Sequence, residues 1–274
     1  MTDLTSHVVE ILKTYPAGLF HGAVVIGVFT TFVFVVFWRL FAAPLSGRKL
    51  QPGKDVKGSQ IRRELKNAAI VMSLNALFAS VVLYLVSQGV AKVYLDILAY
   101  PFWWTFLSFP LLLILNDTWF YWMHRLLHHR RLYKYVHHEH HKSTTVNPFT
   151  SFSFHVIEPL LLTVWIIPAV LIMPLYVPVI AFVQLYGLLD NMKSHLGYEL
   201  YPKGFNRSPL RFLTTATYHD LHHTRFKGNY ALHFRFWDWI MGTENTKYEE
   251  AFQDAHRPRE TATDDVDDAN QGII

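Results

Sequence analysis

Apolar residues in this chain are bunched rather than alternating. Four long runs carry them, at about 18–43, 68–91, 98–122 and 156–189. A hydrocarbon core of about 30 Å asks for roughly 20 apolar residues in a helix, and the first three runs have that length. His21 and Arg39 lie near the ends of the first run. The fourth run holds 34 residues and is interrupted by Pro168, Pro174 and Pro178. It predicts a hairpin of two short helices turning near 173–178, with one kinked, tilted helix as the alternative. The run at 18–43 is too long for a signal-peptide core, and the residues before it carry Asp3 and Glu10 in place of a basic flank. Residues 4–15 have the pattern of an interfacial amphipathic helix or of a frayed end.

The polar positions between the runs assign sides. Arg48, Lys49, Lys54, Lys57, Arg62, Arg63 and Lys66 fall between the first two runs, whereas Lys92 is the lone basic residue between the second and third. Further basic clusters follow the third run (Arg125, Arg130, Arg131, Lys134, Lys142) and the fourth (Lys193, Lys203, Arg207, Arg211, Arg225, Lys227). The positive-inside rule places all of these clusters in the cytosol if the fourth run is a hairpin. The expected fold is therefore an all-α integral membrane protein, with about four membrane-entering helical segments and a cytosolic helical cap. Its expected divisions are an interfacial segment (1–17), transmembrane helices (18–122), a first cap segment (123–155), a transmembrane hairpin (156–190), a second cap segment (191–248) and an acidic tail (249–274). The tail holds Asp264, Asp265, Asp267 and Asp268 without an apolar period and reads as disordered.

Composition agrees. Of 274 residues, 51% are hydrophobic and 17% charged, against about 25% charged in a typical soluble domain. There is no cysteine, which excludes disulfides, thiolate metal sites, Fe–S clusters and thiol nucleophiles. The net charge of +4 suits an anionic membrane surface; no nucleic-acid partner is expected. The 16 histidines nearly match the 21 acidic residues, and that changes the picture from a membrane protein to a membrane metalloprotein.

Most of the histidines are grouped. His124-Arg-Leu-Leu-His128 is followed by His137-His-Glu-His140-His141, and later by His219-Asp-Leu-His222-His223; His195 stands alone after the fourth run. Residues three and four apart share a helix face, so His124 and His128 can aim at one point. In H-x2-H-H the adjacent pair diverges by about 100° around the helix axis, so one such motif can serve two neighbouring metals. His124, His128, His137, His140, His141, His195, His219, His222 and His223 together offer nine imidazoles, enough for two metals with positions left open. Imidazole suits Zn, Cu, Fe and Ni. Nine neutral rings offset none of the metal charge, which makes Asp117, Glu139, Glu158, Asp190, Glu199 and Asp220 candidate supporting carboxylates. Asp117 lies two turns before His124, placed for such a role or for capping. A helix over 98–128 would be about 46 Å long and would carry His124 and His128 beyond the lipid. His7, His21, His233 and His256 read as structural, and His129 and His138 lie off the shared faces. His155 and Asn191 stand close enough in sequence to join the site or to cap a helix. Trp103, Trp104, Trp119, Phe120 and Trp122 read as an interfacial belt, or as the lining of an apolar entry.

Other chemistries lack their motifs. Lys142 stands where H-E-x-x-H would need its second histidine, and no G-x-S-x-G or Gly-rich phosphate loop occurs. A metal-dependent oxidoreductase therefore competes with a non-catalytic or transport membrane metal-binding protein and with a zinc-dependent membrane hydrolase.

The three histidine boxes resemble those of the fatty acid hydroxylase/sterol desaturase superfamily of integral membrane di-iron enzymes. The stretches Asn147-Pro-Phe-Thr-Ser-Phe-Ser-Phe-His155 and Gly228-Asn-Tyr-Ala-Leu-His-Phe-Arg-Phe-Trp-Asp-Trp-Ile-Met-Gly-Thr243 add to it. The likeness runs from about Arg62 to Thr243 and is greatest to the C5-sterol desaturase branch. It implies two Fe ions bound by the nine histidines named above, O2 as co-substrate, and hydroxylation or desaturation of a sterol, fatty acyl or sphingoid lipid. It also implies an electron donor such as cytochrome b5 or a ferredoxin with its reductase. The implied location is a bacterial inner membrane or endoplasmic reticulum, with the site on the cytosolic face. Some relatives have a further histidine where Asn191 stands.

Overall fold

The computed structural model describes residues 44–257, together with the isolated positions Val36 and Leu40. The run at 18–43 and the segment 1–17 therefore lie almost wholly outside the described residues. The described chain is mostly helical. Its first long helix, α1 (Gly58–Ser87), is the one helix among the described residues long and apolar enough to cross a membrane by length and composition. Its faces are inverted relative to a soluble helix. Leu65, Leu77, Val81 and Leu83 are exposed, while Glu64, Ala68, Val71, Ala76 and Ser80 are buried. Small and polar residues face the protein and large apolar ones face outward, the arrangement that marks a surface meant for an apolar surrounding.

The second long helix, α2 (Phe102–Leu127), starts four residues later than the sequence pattern suggests. The Asp96 carboxylate accepts the Leu98 N–H (2.9 Å) and the Asp96 carbonyl accepts the Ala99 N–H (3.0 Å), making a turn. Pro101 then biases the residue before it away from helical dihedrals. The helix is about 39 Å long at 1.5 Å per residue, with His128 as its C-cap. Its outer face carries Phe106, Leu107 and Ile114, and its inner face buries Thr105, Ser108, Asn116 and Asp117.

The fourth apolar run reverses direction. It forms α4 (Glu158–Thr163) and α5 (Ile166–Ile172), turns, and returns as α6 (Val177–Ser194). The reversal is visible in its contacts. Glu158 and His195, at its two ends, both reach the histidine boxes, whereas the Pro174 carbonyl accepts the Trp104 Nε1–H (2.6 Å) at the far end of α2. There β1 (Val93–Tyr94) pairs in parallel with β2 (Leu175–Tyr176), tying the two turns together. Leu112, Leu113, Trp165, Ile166, Ala169, Val170, Leu175 and Val183 form the core between these helices.

The remaining elements form a cap at the histidine end. They are α3 (His138–His141), α7 (Ala216–Arg225), α8 (Phe236–Met241) and α9 (Tyr248–Asp254). The last corrects the expectation of disorder from 249 onward. Tyr248 and Phe252 are buried against Phe205, Tyr218, Leu221 and Ala231, and the Arg235 guanidinium lies 4.2 Å from the Tyr248 ring centroid. Aromatic packing from distant chain segments, which the local acidic pattern does not show, holds this helix. Residues 258–274 lie outside the described residues.

One buried carboxylate joins α1 to the cap. Glu64 accepts from Gln60 Nε2 (2.9 Å), Ser143 Oγ (2.6 Å), Thr150 Oγ1 (2.9 Å) and Asn147 Nδ2 (2.8 Å). Removing it leaves three distant donors buried without an acceptor. Glu64→Ala is expected to lower stability by about 2–4 kcal/mol, read as a fall in the unfolding midpoint of the detergent-purified protein. An unchanged midpoint would show that those donors find other partners.

Candidate metal centre

Each box is positioned by a different local device. His124 sits in the last turn of α2 and His128 caps it, one turn apart. His137 is the N-cap of α3, which carries His140 and His141. His195 is the C-cap of α6. α7 carries His219, His222 and His223 and is started by Thr215, whose Oγ accepts the Tyr218 N–H (3.1 Å). The Glu199 carboxylate adds bonds from the Thr217 N–H (3.0 Å) and hydroxyl (2.6 Å).

The fold brings all nine histidines into two adjacent groups. His124, His128, His137, His141 and His222 form one; His140, His195, His219 and His223 form the other. In each H-x2-H-H box the outer i, i+4 pair enters one group and the middle histidine enters the other. The second box gives its pair to the five-membered group, and the third gives its pair to the four-membered group. Within the five, Nε2 atoms lie 3.1 Å apart for His124–His137, His128–His222 and His128–His141, and 3.0 Å apart for His137–His141. Within the four, the separations are 2.9 Å (His195–His219), 3.2 Å (His195–His223 and His219–His223) and 3.4 Å (His140–His195).

The other ring nitrogen shows what these contacts are. Nδ1 of His124, His140, His195, His222 and His223 faces the carbonyls of Tyr230 (2.8 Å), Ser153 (3.2 Å), Asn191 (2.8 Å), Gly228 (2.7 Å) and Ser143 (3.1 Å). A carbonyl only accepts, so each Nδ1 carries the proton. In a neutral imidazole Nε2 is then a bare acceptor. Protons do not bridge these acceptors, because burial pushes the His195 ring down to about 4 and the His128 ring to about 2. Burial, with mutual repulsion added, also holds His140, His141, His219, His222 and His223 far below their ordinary value. Converging lone pairs need a metal cation. Metal–nitrogen bonds of about 2.0–2.1 Å at octahedral to tetrahedral angles put donor nitrogens about 2.8–3.4 Å apart, which matches the observed spacing. The donor set fits two metal ions.

Of the six carboxylates named from the sequence, Glu158 alone touches one of these rings. Its Oε1 accepts from His137 Nδ1 at 2.5 Å, the carboxylate–histidine arrangement that orients a metal ligand and raises its basicity. Asp117 instead accepts the backbone N–H groups of His233 (2.7 Å) and Phe234 (3.2 Å). Asp190 takes Lys193 and His233, Glu199 starts α7, Asp220 takes Gln51, and Glu139 takes Asn67 and Lys142. His155 and Asn191 join neither group. The Asn191 side chain donates to the Ser151 carbonyl (2.8 Å) while its own carbonyl holds His195. Among the five aromatics named from the sequence, Phe120 lines the cavity beside the rings, while Trp103 and Trp122 are exposed.

The comparisons with known proteins follow this geometry. A family model described as fatty acid hydroxylase matches residues 109–243, a stretch that contains all nine rings. The chain belongs to the fatty acid hydroxylase/sterol desaturase superfamily. It is 39% identical over 132 residues to methylsterol monooxygenase 1 of Rattus norvegicus, covering 48% of this chain and 44% of that protein. It is 34% identical over 192 residues to a Delta(7)-sterol 5(6)-desaturase of Gibberella zeae, covering 68% and 51%. A very-long-chain aldehyde decarbonylase of Oryza sativa subsp. japonica is 35% identical over 161 residues, covering 54% and 24%. The chain spans about half the length of the first curated relatives it matches, and less of the decarbonylase. No solved structure matches significantly.

The centre also rests on supports that local sequence does not single out. Gly228 is one. Its φ is +82°, and a Cβ there would lie 2.5 Å from the Thr243 carbonyl oxygen, so only glycine lets its own carbonyl reach His222. Glu64 is another, since it holds Ser143, whose carbonyl holds His223.

Iron or zinc content per purified chain tests the two groups. The native chain should hold about two ions. His141→Ala and His219→Ala should each cost about one, from different groups. Glu158→Gln should weaken binding about 10–100-fold. Loss of both ions from either single-histidine variant would show one shared site.

Proposed function

We propose that this chain is a membrane-bound di-iron oxidoreductase that uses O2 to hydroxylate or desaturate a C–H site of a lipid of sterol, fatty acyl or sphingoid type. The observation that carries the reading is one cavity of about 230 Å³ enclosed by α1, α2, α4 and α6. His124 and His137 of one histidine group border it, and so do His140, His195 and His219 of the other. Val71, Phe120, Leu162, Trp165 and Leu188 make up much of the rest of its wall. An apolar chamber that reaches both groups suits an unactivated hydrocarbon segment, and it suits neither an ion pathway nor a hydrolytic water. The names of the relatives, a sterol monooxygenase and a sterol desaturase, point the same way.

Two irons held by the nine histidines would supply O2 reduction and C–H oxidation. The chain's own residues do the rest. The carbonyls that hold Nδ1 of His124, His140, His195, His222 and His223 keep those Nε2 atoms aimed inward, and Glu158 orients His137 from the cavity wall. The aromatic and aliphatic lining excludes water. In this reading α1 and α2 cross the bilayer, α4–α6 re-enter it as a hairpin, and the cap lies on the cytosolic face, where the basic clusters fall. The setting is a bacterial inner membrane or endoplasmic reticulum. The electrons come from a carrier such as cytochrome b5 or a ferredoxin with its reductase.

Mössbauer spectra of protein from 57Fe-grown cells should show about two exchange-coupled irons per chain. With a reductant and O2, the protein should oxidise lipids extracted from its own membrane, read by mass as a gain of oxygen or a loss of two hydrogens. His128→Ala should abolish turnover. Turnover retained by that variant, or a zinc content that iron cannot replace with activity, would move the reading to metal handling or hydrolysis.

A further inference from the structure

The five-histidine group has a second exposure. The lipid-side cavity reaches His124 and His137, whereas a separate, solvent-facing cavity reaches His128 and His141. Tyr133 and Phe226 wall this second cavity, with ring centroids 5.5 Å from His128 and 5.3 Å from His141. Its rim is basic. Arg130 and Lys142 line it, Arg131 and Lys134 flank Arg130, and Arg225 and Lys227 flank Phe226; all six are exposed. The segments that build this rim, 123–147 and 224–237, contain a single acidic residue, Glu139, and it is engaged by Lys142 and Arg63. Arg130, Arg131, Lys134, Arg225 and Lys227 have no ion pair among the described residues. Tyr135 and Phe226, 64% and 41% exposed, give the rim two apolar contact points. His141 Nδ1 is buried with no hydrogen-bond partner, so this side of the centre is less tied down than the lipid side.

Resting on the oxygenase reading above, the stoichiometry calls for a donor. Hydroxylation consumes one C–H bond, O2, two electrons and two protons, and yields one C–OH and one water. Desaturation consumes two C–H bonds with the same O2, electrons and protons, and yields an alkene and two waters. In both cases two electrons must enter from outside while the lipid occupies the other cavity.

We propose that the mouth rimmed by Arg130, Arg131, Lys134, Lys142, Arg225 and Lys227 is the docking face of an acidic one-electron carrier protein, and that its electrons reach the five-histidine group past His128 and His141. Complementary charge would steer the carrier onto this mouth and set its association rate. The lipid enters from the opposite side of the same group, so the two do not compete.

The test uses the iron-loaded full chain in nanodiscs and two probes, soluble cytochrome b5 with its reductase and a plant-type [2Fe–2S] ferredoxin with its own. Binding is read by biolayer interferometry and reduction of the centre by stopped flow. At least one probe should bind and reduce the native protein, with a rate that falls about tenfold between low and physiological salt. The Arg130→Glu/Arg131→Glu/Lys134→Glu variant should bind and be reduced at least about tenfold more weakly, with little salt dependence left. Lys203→Glu/Arg207→Glu, a basic pair elsewhere on the cap, should change neither by more than about twofold. Iron content and reduction by dithionite report whether the centre is intact; if the first variant fails to load iron, Arg225→Glu/Lys227→Glu tests the same rim. Unchanged binding and reduction in an iron-loaded rim variant would overturn the proposal. So would a native protein that dithionite reduces but neither probe does, or a rim variant that loses only its affinity for anionic vesicles. If the dithionite-reduced native protein does not react with O2, the oxygenase reading itself fails.

Discussion

Nine ring nitrogens, most of them bare lone pairs, brought within 2.9–3.4 Å of their neighbours repel one another unless cations sit between them. Much of the cap serves to hold that arrangement. Most of the rings are gripped at Nδ1, and the grips are mostly backbone carbonyls in segments with no regular structure of their own. These segments are fixed in turn by buried carboxylates. Asp238 accepts from the Tyr230 and Ala231 N–H groups and from the hydroxyls of Tyr218 and Thr243, which sets the loop that holds His124 and His222. Glu64 does the same for the loop that holds His223, and Glu199 for the start of α7. The cap is thus a set of acid-centred clamps in which irregular segments grip the metal-facing rings that the helices carry.

The helices below obey the opposite distribution. Their apolar residues point outward, and Thr105, Ser108, Asn116 and Asp117 are buried on α2. In water this would be unstable, because the large exposed side chains would drive association. If the proposed membrane setting holds, the outer face costs nothing; the inner polar groups find partners within the protein. Asp117 receives two backbone N–H groups from the 233–234 segment of the cap. Asn116 lies 3.3 Å from His233, whose other nitrogen meets Asp190 at 2.9 Å. His233 is therefore a joint between helices and cap, the structural role its isolated position in the sequence suggested.

Legibility followed sequence separation. The boxes were readable because three- and four-residue spacing is a local property, and the sharing of each H-x2-H-H between two groups follows from the 100° step of a helix. The choice of which group receives which pair was not readable, because it depends on how α3 and α7 face each other across about 80 residues. Glu158 was one name among six acids, since nothing near it in the chain shows that His137, 21 residues earlier, will meet it. Glu64 was hidden among basic neighbours, and its three partners beyond α1 stand 79 to 86 residues away. The late start of α2 was legible in principle from Asp96 and Pro101, but the apolar run dominated the reading. α9 was missed because its anchors, Tyr248 and Phe252, pack on residues from three other segments.

The single carboxylate at the rings has a consequence for what can enter. Glu158 is the one acidic or basic side chain, histidine aside, in the wall of the lipid-side cavity. The other polar groups there are neutral: Asn75, Asn116, Ser151, Thr163, Gln184 and Asn191 among them. A cationic head group would have to shed its water with only Glu158, already committed to His137, to meet it, a desolvation that costs several kcal/mol. On the proposed oxygenase reading, the cavity therefore takes an uncharged stretch of a lipid, and a cationic end stays outside. Of the buried atoms in this wall, Asn75 Oδ1, Ser151 Oγ and Glu158 Oε2 have no hydrogen-bond partner. An uncharged group able to donate a hydrogen bond, such as a hydroxyl, satisfies them at far lower cost than a charge would, and a purely hydrocarbon segment leaves them as they are. The same wall thus disfavours a cationic end and, on that reading, discriminates among neutral lipids through a few dipoles that decide which carbon is brought to the metal-facing rings.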